Sequence, residues 1–271
     1  MSAVSFSPFL KAEAKDIGIS YFEGLPVCST HLLSYRFGRS ITSTNQDEES
    51  RYFLDYGYRV GSTGAILYDL AERTVSDKAH FSARPFAVTA NDFTYVKLID
   101  PLASKGVKDE IAFFFVSEML TQIGSVEALR RAGFIDGLLW VKLSTYCLLH
   151  AERALGSFSA FVHDEANAAL YSDDFVSELS SIFTRTERKV IRSTRKLRNA
   201  FVHYDFKTLA DGLELHNANL WEITDAIVLR AVGMSREEYE RFLLSVSMSA
   251  VERLSKLVCF PLYDPGKNVF N

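Results

Sequence analysis

From residue 135 to about residue 156 the chain is apolar nearly all the way round a helix. Leu138, Leu139, Trp140, Leu143, Cys147, Leu148, Leu149 and Ala154 leave it no wide polar face. Such a helix is not stable on a surface, so other elements must enclose it. The chain from 107 onward supplies them. Residues 109–123 predict one helix closed by Gly124, and 125–132 a short second one closed by Gly133. Residues 173–205 predict a long helix with acids at its start and bases towards its end, as the macrodipole prefers. Residues 220–232 and 235–257 predict a closing pair, and Ser235 followed three residues later by Glu238 is a capping box. The expected class is mainly α, a helical bundle with a less regular N-terminal portion.

The division falls between an N-terminal region, 1–106, and the helical bundle, 107–262. In the first, Gly24, Pro26, Gly38 and the Ser/Thr/Asn-rich residues 40–45 predict loops with one or two short strands, HLLSYRF (31–37) being the candidate. Phe53, Tyr56, Val60, Leu67, Leu70 and Ala71 have helical spacing over 47–75, which Gly61 and Gly64 weaken. Residues 76–106 read as mixed, punctuated by Pro85 and Pro101. Cys28, Cys147 and Cys259 are far apart and odd in number, which excludes a disulfide framework and points to a reducing, cytoplasmic setting. The N-terminal MSAVSFSPFLKAEAKD lacks a basic leader before a long apolar run, so no signal peptide is expected. IAFFFV and GLLWVKLSTYCLL fall short of the ~20 apolar residues that span a bilayer, so no membrane partner is expected either.

Function concentrates in residues 185–198, RTERKVIRSTRKLR. These fourteen positions carry seven basic side chains and one acid. The whole chain is at −4, so a segment at +6 leaves the remainder at −10. The stripe is therefore local. On a helix at about 100° per residue, Val176, Leu179, Phe183, Val190, Leu197 and Phe201 form one apolar stripe. Arg185, Arg188, Arg192, Arg195, Lys196, Asn199 and His203 lie opposite, either as a solvated face or as a track for an RNA backbone. Arg198 falls at the edge of the packed face, where an arginine is seldom found without a partner or a task. It is about 140° round from His203, so one straight helix cannot aim both at one atom. Either the helix ends or kinks near His203, or the site forms between two copies.

Cleaving RNA without a metal needs a base for the 2′-hydroxyl, an acid for the leaving oxygen and a fixed cation beside the phosphorus. Histidine suits the first two roles and arginine the third. Asn199, one turn before His203, suits orientation of the imidazole or of a phosphate oxygen. LRNAFVHYD, residues 197–205, resembles the signature of the HEPN superfamily, in which an arginine, usually followed by a polar residue such as Asn or Asp, precedes a histidine with about four to six residues between them. Arg198, Asn199 and His203 match it over a four-residue gap, and the resemblance covers roughly residues 107–260. It implies an all-α bundle, a homodimer with facing motifs, and metal-independent endoribonuclease activity of the kind found in toxin–antitoxin and phage-defence systems. An antitoxin partner is implied with it, and no cofactor. Some members carry a tyrosine two residues after the histidine for modification by a partner nucleotidyltransferase. Here that position is Asp205, with Tyr204 one residue early, which speaks against such regulation.

Lys142, Tyr146, His150, Arg153 and Ser157 share one narrow face of the apolar helix, either a second polar wall towards the basic stripe or its exposed edge. His150-Ala151-Glu152 has the H-x-E spacing of zinc deaminases, but no P-C-x-x-C follows. Cys28 and His31 are a pair without a second half, and His80, His163 and His216 stand alone. Two other readings remain open: a bundle that holds RNA or a nucleotide without cutting it, and a purely structural dimer.

Overall fold

The structure, a computed structural model, describes residues 16–29, 88–109, 111–135, 137–203 and 220–258. The candidate strand HLLSYRF and the candidate helix at 47–75 lie outside them. Helix predominates among the described residues, and those on either side of 31–86 belong to one compact unit.

The N-terminal strands are β1 (Asp16–Phe22) and β2 (Leu25–Ser29), and β3 (Val88–Thr94) joins them in the order β2-β1-β3. All pairing is antiparallel, with Asp16 opposite Thr94 and Phe22 opposite Val88. The β1–β2 hairpin turns on Glu23 and Gly24, with φ of 49° and 75°. Positive φ at both central residues matches the right-handed strand twist. Ile19, Tyr21 and Leu25 face the core. Residues 76–106, read as mixed, contain β3 and then helix α1 (Tyr95–Ser104), which passes through Pro101 instead of stopping there. Proline there removes one intrahelical hydrogen bond and its ring crowds the carbonyl four residues earlier, a local cost that the rest of the fold offsets.

The next helix, α2 (Ile111–Arg131), overturns the expected break at Gly124. That glycine is a contact point. A Cβ there would lie 2.4 Å from the carbonyl oxygen of Pro26, so β2 reaches the helix only because the side chain is missing. Gly133, at φ 76°, does end the helix. Its N–H donates to the Arg130 carbonyl at 3.0 Å and that of Phe134 to the Leu129 carbonyl at 2.9 Å, the pattern of a Schellman cap. By length and composition α2 could cross a bilayer, but 67% of its most apolar stretch is buried inside the protein. Its Glu127 is fully buried and accepts from Arg130 Nε at 2.9 Å and Trp140 Nε1 at 3.2 Å.

The apolar run is α3 (Gly137–Val162), which continues beyond Gly156. It packs against α2, against α4 (Asp173–Ser181), α5 (Arg185–Ser193) and α6 (Arg195–His203), and against α8 (Arg236–Leu257), the partner of α7 (Leu220–Val232). Ser235 caps α8 with Glu238 returning the bond, as its spacing predicts.

The single helix expected at 173–205 is three helices within the described residues. Ser172 caps α4 by accepting from the Phe175 N–H. Thr184 starts α5 with a reciprocal capping box to Glu187. The carbonyls that α4 leaves free are met by arginines: Arg188 donates to Ser180 O, and Arg253 Nη1 to Ile182 O at 2.8 Å. The second break is at Thr194, a buried residue whose hydroxyl donates to Ile191 O at 2.6 Å. Its backbone N–H takes the same carbonyl at 3.1 Å, tightening the last turn before α6 begins. Ile191 is fully buried and Val190 only half-buried, so Ile191 takes the place expected of Val190 in the apolar stripe beside Leu179, Phe183 and Leu197.

Candidate functional site

The break at Thr194 distributes the basic stripe over two short helices. Arg185, Arg188 and Arg192 stand on α5, and Arg195, Lys196, Arg198, Asn199 and His203 on α6. They are not equivalent. Arg188 is occupied at the end of α4. Arg185 and Lys196 are exposed on the surface. Arg192 reaches across to α3, where its Nε and Nη2 both approach Glu152 Oε1 at 2.7 Å. Glu152 is 5% exposed and Arg192 65%, so a buried carboxylate anchors the base of a cation whose outer edge meets solvent. The hydrogen bond to Glu152 and its negative charge together push the Arg192 guanidinium above its already high ordinary value.

The motif residues lie one turn further. Arg198 is half-buried, and its Nη1 donates to Asn199 Oδ1 at 2.8 Å. The asparagine therefore orients the arginine. His203 is the last described residue of α6, and its side chain lies outside the described part of the structure. Phe201 is buried, and Lys142 Nζ of α3 sits 5.5 Å from its ring centre, within cation–π range. That contact ties the first member of the α3 strip to the motif helix.

Further along the strip, Tyr146 is 47% exposed and His150 is exposed as well. Their rings are parallel to within 5°, with centres 6.3 Å apart. Below them, α3 and the helices α5 and α6 border an open groove of about 700 Å³. Arg153, Arg192 and Arg195 supply its charge, and Glu152 and Ser157 its other polar groups. The floor includes Gly156, where a Cβ would meet nothing within 4 Å. Three guanidinium groups against one carboxylate leave the groove cationic.

The structure thus brings Arg153 together with Arg192 and Arg195, Lys142 with Phe201, and Arg198 with Asn199. Arg185, Arg188 and Lys196 do not join the groove, and Tyr146 and His150 stand beside it. Sequence reasoning missed Glu152 and Gly156 as parts of the site. A signal for Glu152 was present. It falls one turn after Leu148 and three residues before Leu155, on the buried face of α3, where a carboxylate needs a cationic partner. Among the described residues no three His, Cys, Asp or Glu side chains converge. Cys147 is half-buried, and burial raises its thiol to about 11, so it is not a ready nucleophile.

No protein-family model, curated protein or solved structure matches the chain.

Proposed function

We propose that the chain is an endoribonuclease of HEPN type, active without a metal and acting as a homodimer on RNA. The observation that carries this reading is Arg198: a half-buried arginine held by Asn199 on the helix that carries His203, with exposed arginines beside it. The 2′-hydroxyl of the RNA attacks the adjacent phosphorus while His203 takes its proton. The P–O5′ bond breaks, the leaving oxygen is protonated, and a 2′,3′-cyclic phosphate remains. Arg198 meets the charge that builds on the phosphorane oxygens, with its fork oriented by Asn199. Both residues lie on one helix, about 140° apart, so each site takes Arg198 from one copy and His203 from the other. An antitoxin-like partner that covers this surface belongs to the same reading.

A second reading is favoured by the groove itself, since a cationic cleft holds RNA whether or not the motif cuts it. Cleavage separates the two. Purified protein should cut single-stranded RNA in excess EDTA and leave cyclic phosphate ends. His203→Ala should slow it ~10²–10⁴-fold and Arg198→Ala ~10²–10³-fold. Mixing the two dead variants should restore about a quarter of wild-type activity, because half of the dimers then carry one intact site. Wild type that cuts no RNA, or variants that cut as fast as wild type, would sink the enzyme reading.

A further inference from the structure

We infer that the exposed strip of α3 and the adjoining groove form a single-stranded RNA subsite distinct from the motif. Tyr146 and His150 stack a base, and Arg153, Arg192 and Arg195 hold the phosphate beside it. This rests on the RNA reading above and adds a place where substrate is held away from the bond that breaks.

Three observations meet here. The first is the ring pair. Two parallel rings one helical turn apart, with centres 6.3 Å apart, stand on the exposed edge of the helix and offer aromatic surface with polar edges to solvent. Every base has a matching π-face, so the surface takes bases without needing a particular one. The second is the position of the charge. From the middle of the ring pair to Arg153 the rise along α3 is about 7 Å, the order of the span from a base to its own phosphate. The phosphate of a stacked nucleotide therefore arrives at the mouth of the groove. The third is the state of Arg192. Glu152 holds its Nε and Nη2 from below, leaving the Nη1 amine for a ligand. A guanidinium fixed in advance loses little rotamer freedom when it binds. Gly156 keeps the floor clear for a phosphate to approach the helix backbone.

These features also select the form of nucleic acid. In a duplex the bases are paired and stacked on each other and cannot turn onto a side-chain platform, whereas an unpaired strand splays them freely. A lipid surface or an acidic peptide would use the arginines but not the rings, so the stacking contribution is the discriminating one.

The test uses full-length protein and fluorescence anisotropy with short 2′-O-methyl oligonucleotides, which cannot be cut by 2′-oxygen attack. Wild type should bind oligoadenylate more tightly than oligouridylate, because adenine stacks better, and both more tightly than the adenylate–uridylate duplex. Arg153→Gln with Arg195→Gln should weaken both single strands about tenfold or more and lower the log–log salt slope by about 1.4, roughly 0.7 per lost phosphate contact. Tyr146→Ala with His150→Ala should weaken oligoadenylate about tenfold, erase its advantage over oligouridylate and leave the salt slope unchanged. All four side chains are exposed, and circular dichroism should show each double variant folded; the single changes Arg195→Gln and Tyr146→Ala give the same readouts at lower amplitude. Single strands bound equally by wild type and both variants would overturn the subsite while leaving the nuclease reading intact. Binding that the variants weaken, with natural RNA left uncut, would support the subsite and reject the nuclease. No binding of any strand by wild type overturns both.

Discussion

Two helices of this protein each carry a buried glutamate about one turn from a glycine, and they use the pair in opposite ways. In α2, Gly124 is filled by the Pro26 carbonyl of the neighbouring strand, and Glu127 has both oxygens committed, one to Arg130 and one to the Trp140 indole. The Arg130 guanidinium also lies 5.5 Å from that indole ring, so the network closes on itself. In α3, Gly156 faces open space, and Glu152 offers one oxygen to an arginine from forty positions later in the chain. That arginine is mostly in solvent. A closed arrangement contributes to stability alone. An open one, with partly satisfied donors at the edge of a cleft, is where a ligand finds something to do.

The largest expected effect breaks the closed side. Gly124→Ala places a methyl carbon where the strand backbone already sits, and no side chain can turn away to relieve it. Either β2 lifts off α2 or the helix shifts. We expect a loss of about 2–3 kcal/mol in urea denaturation, the overpacking cost less the small gain in helix propensity. A variant as stable as wild type would mean that the strand does not rest on this helix.

The two glutamates are compared most directly by the same conservative change. Glutamine keeps the shape but turns one acceptor oxygen into a donor. At position 127 both oxygens accept, so the amide must point a donor at either Arg130 or the indole, inside a fully buried site. Glu127→Gln should cost about 2–3 kcal/mol, the usual penalty for a buried polar group left unsatisfied. At position 152 the amide oxygen can keep the Arg192 bonds and the nitrogen can take the side of the unused oxygen. Glu152→Gln should cost about 1 kcal/mol or less. It also removes the only carboxylate among the described residues that line the groove, so RNA binding should tighten a few-fold. Equal losses at the two positions, measured by urea denaturation, would erase the distinction between closed and open.

Local signals in the sequence carried some of this and not the rest. The Ser235 box before α8 and the glycine cap at Gly133 follow from residues within a few positions of each other, and both hold. Thr184-Arg185-Thr186-Glu187 has the same signature as the Ser235 box, yet the run of acids followed by bases over 173–205 suggested one macrodipole and hid it. The capping box decided the outcome, because a satisfied cap and arginine-capped carbonyls outweigh a gradient of surface charge. Gly124 shows a different limit. As a residue it reads as a helix end, and only the distant Pro26 makes it a contact point. At the candidate site, the residues Arg198, Asn199 and His203 were readable as a motif, and the α3 strip as a row of polar positions. What no local pattern contained was the Glu152–Arg192 bond, which joins two helices and turns a row of bases into a bordered groove.

The smallest expected effect has the opposite sign from the first. Gly156 is exposed in the interior of a long helix, with φ in the ordinary helical range and no atom where a Cβ would go. Among the described residues nothing in the packing requires a glycine there. Gly156→Ala should therefore raise stability by about 0.5–1 kcal/mol, from backbone entropy lost by the unfolded chain and better helix propensity. The same methyl group stands on the floor of the groove, so affinity for single-stranded RNA should fall by a few-fold as stability rises. A glycine whose removal stabilises the fold and weakens binding is one that the cleft requires and the fold does not. If both quantities rise, or if stability falls as it should at Gly124, the open side of the comparison is closed after all.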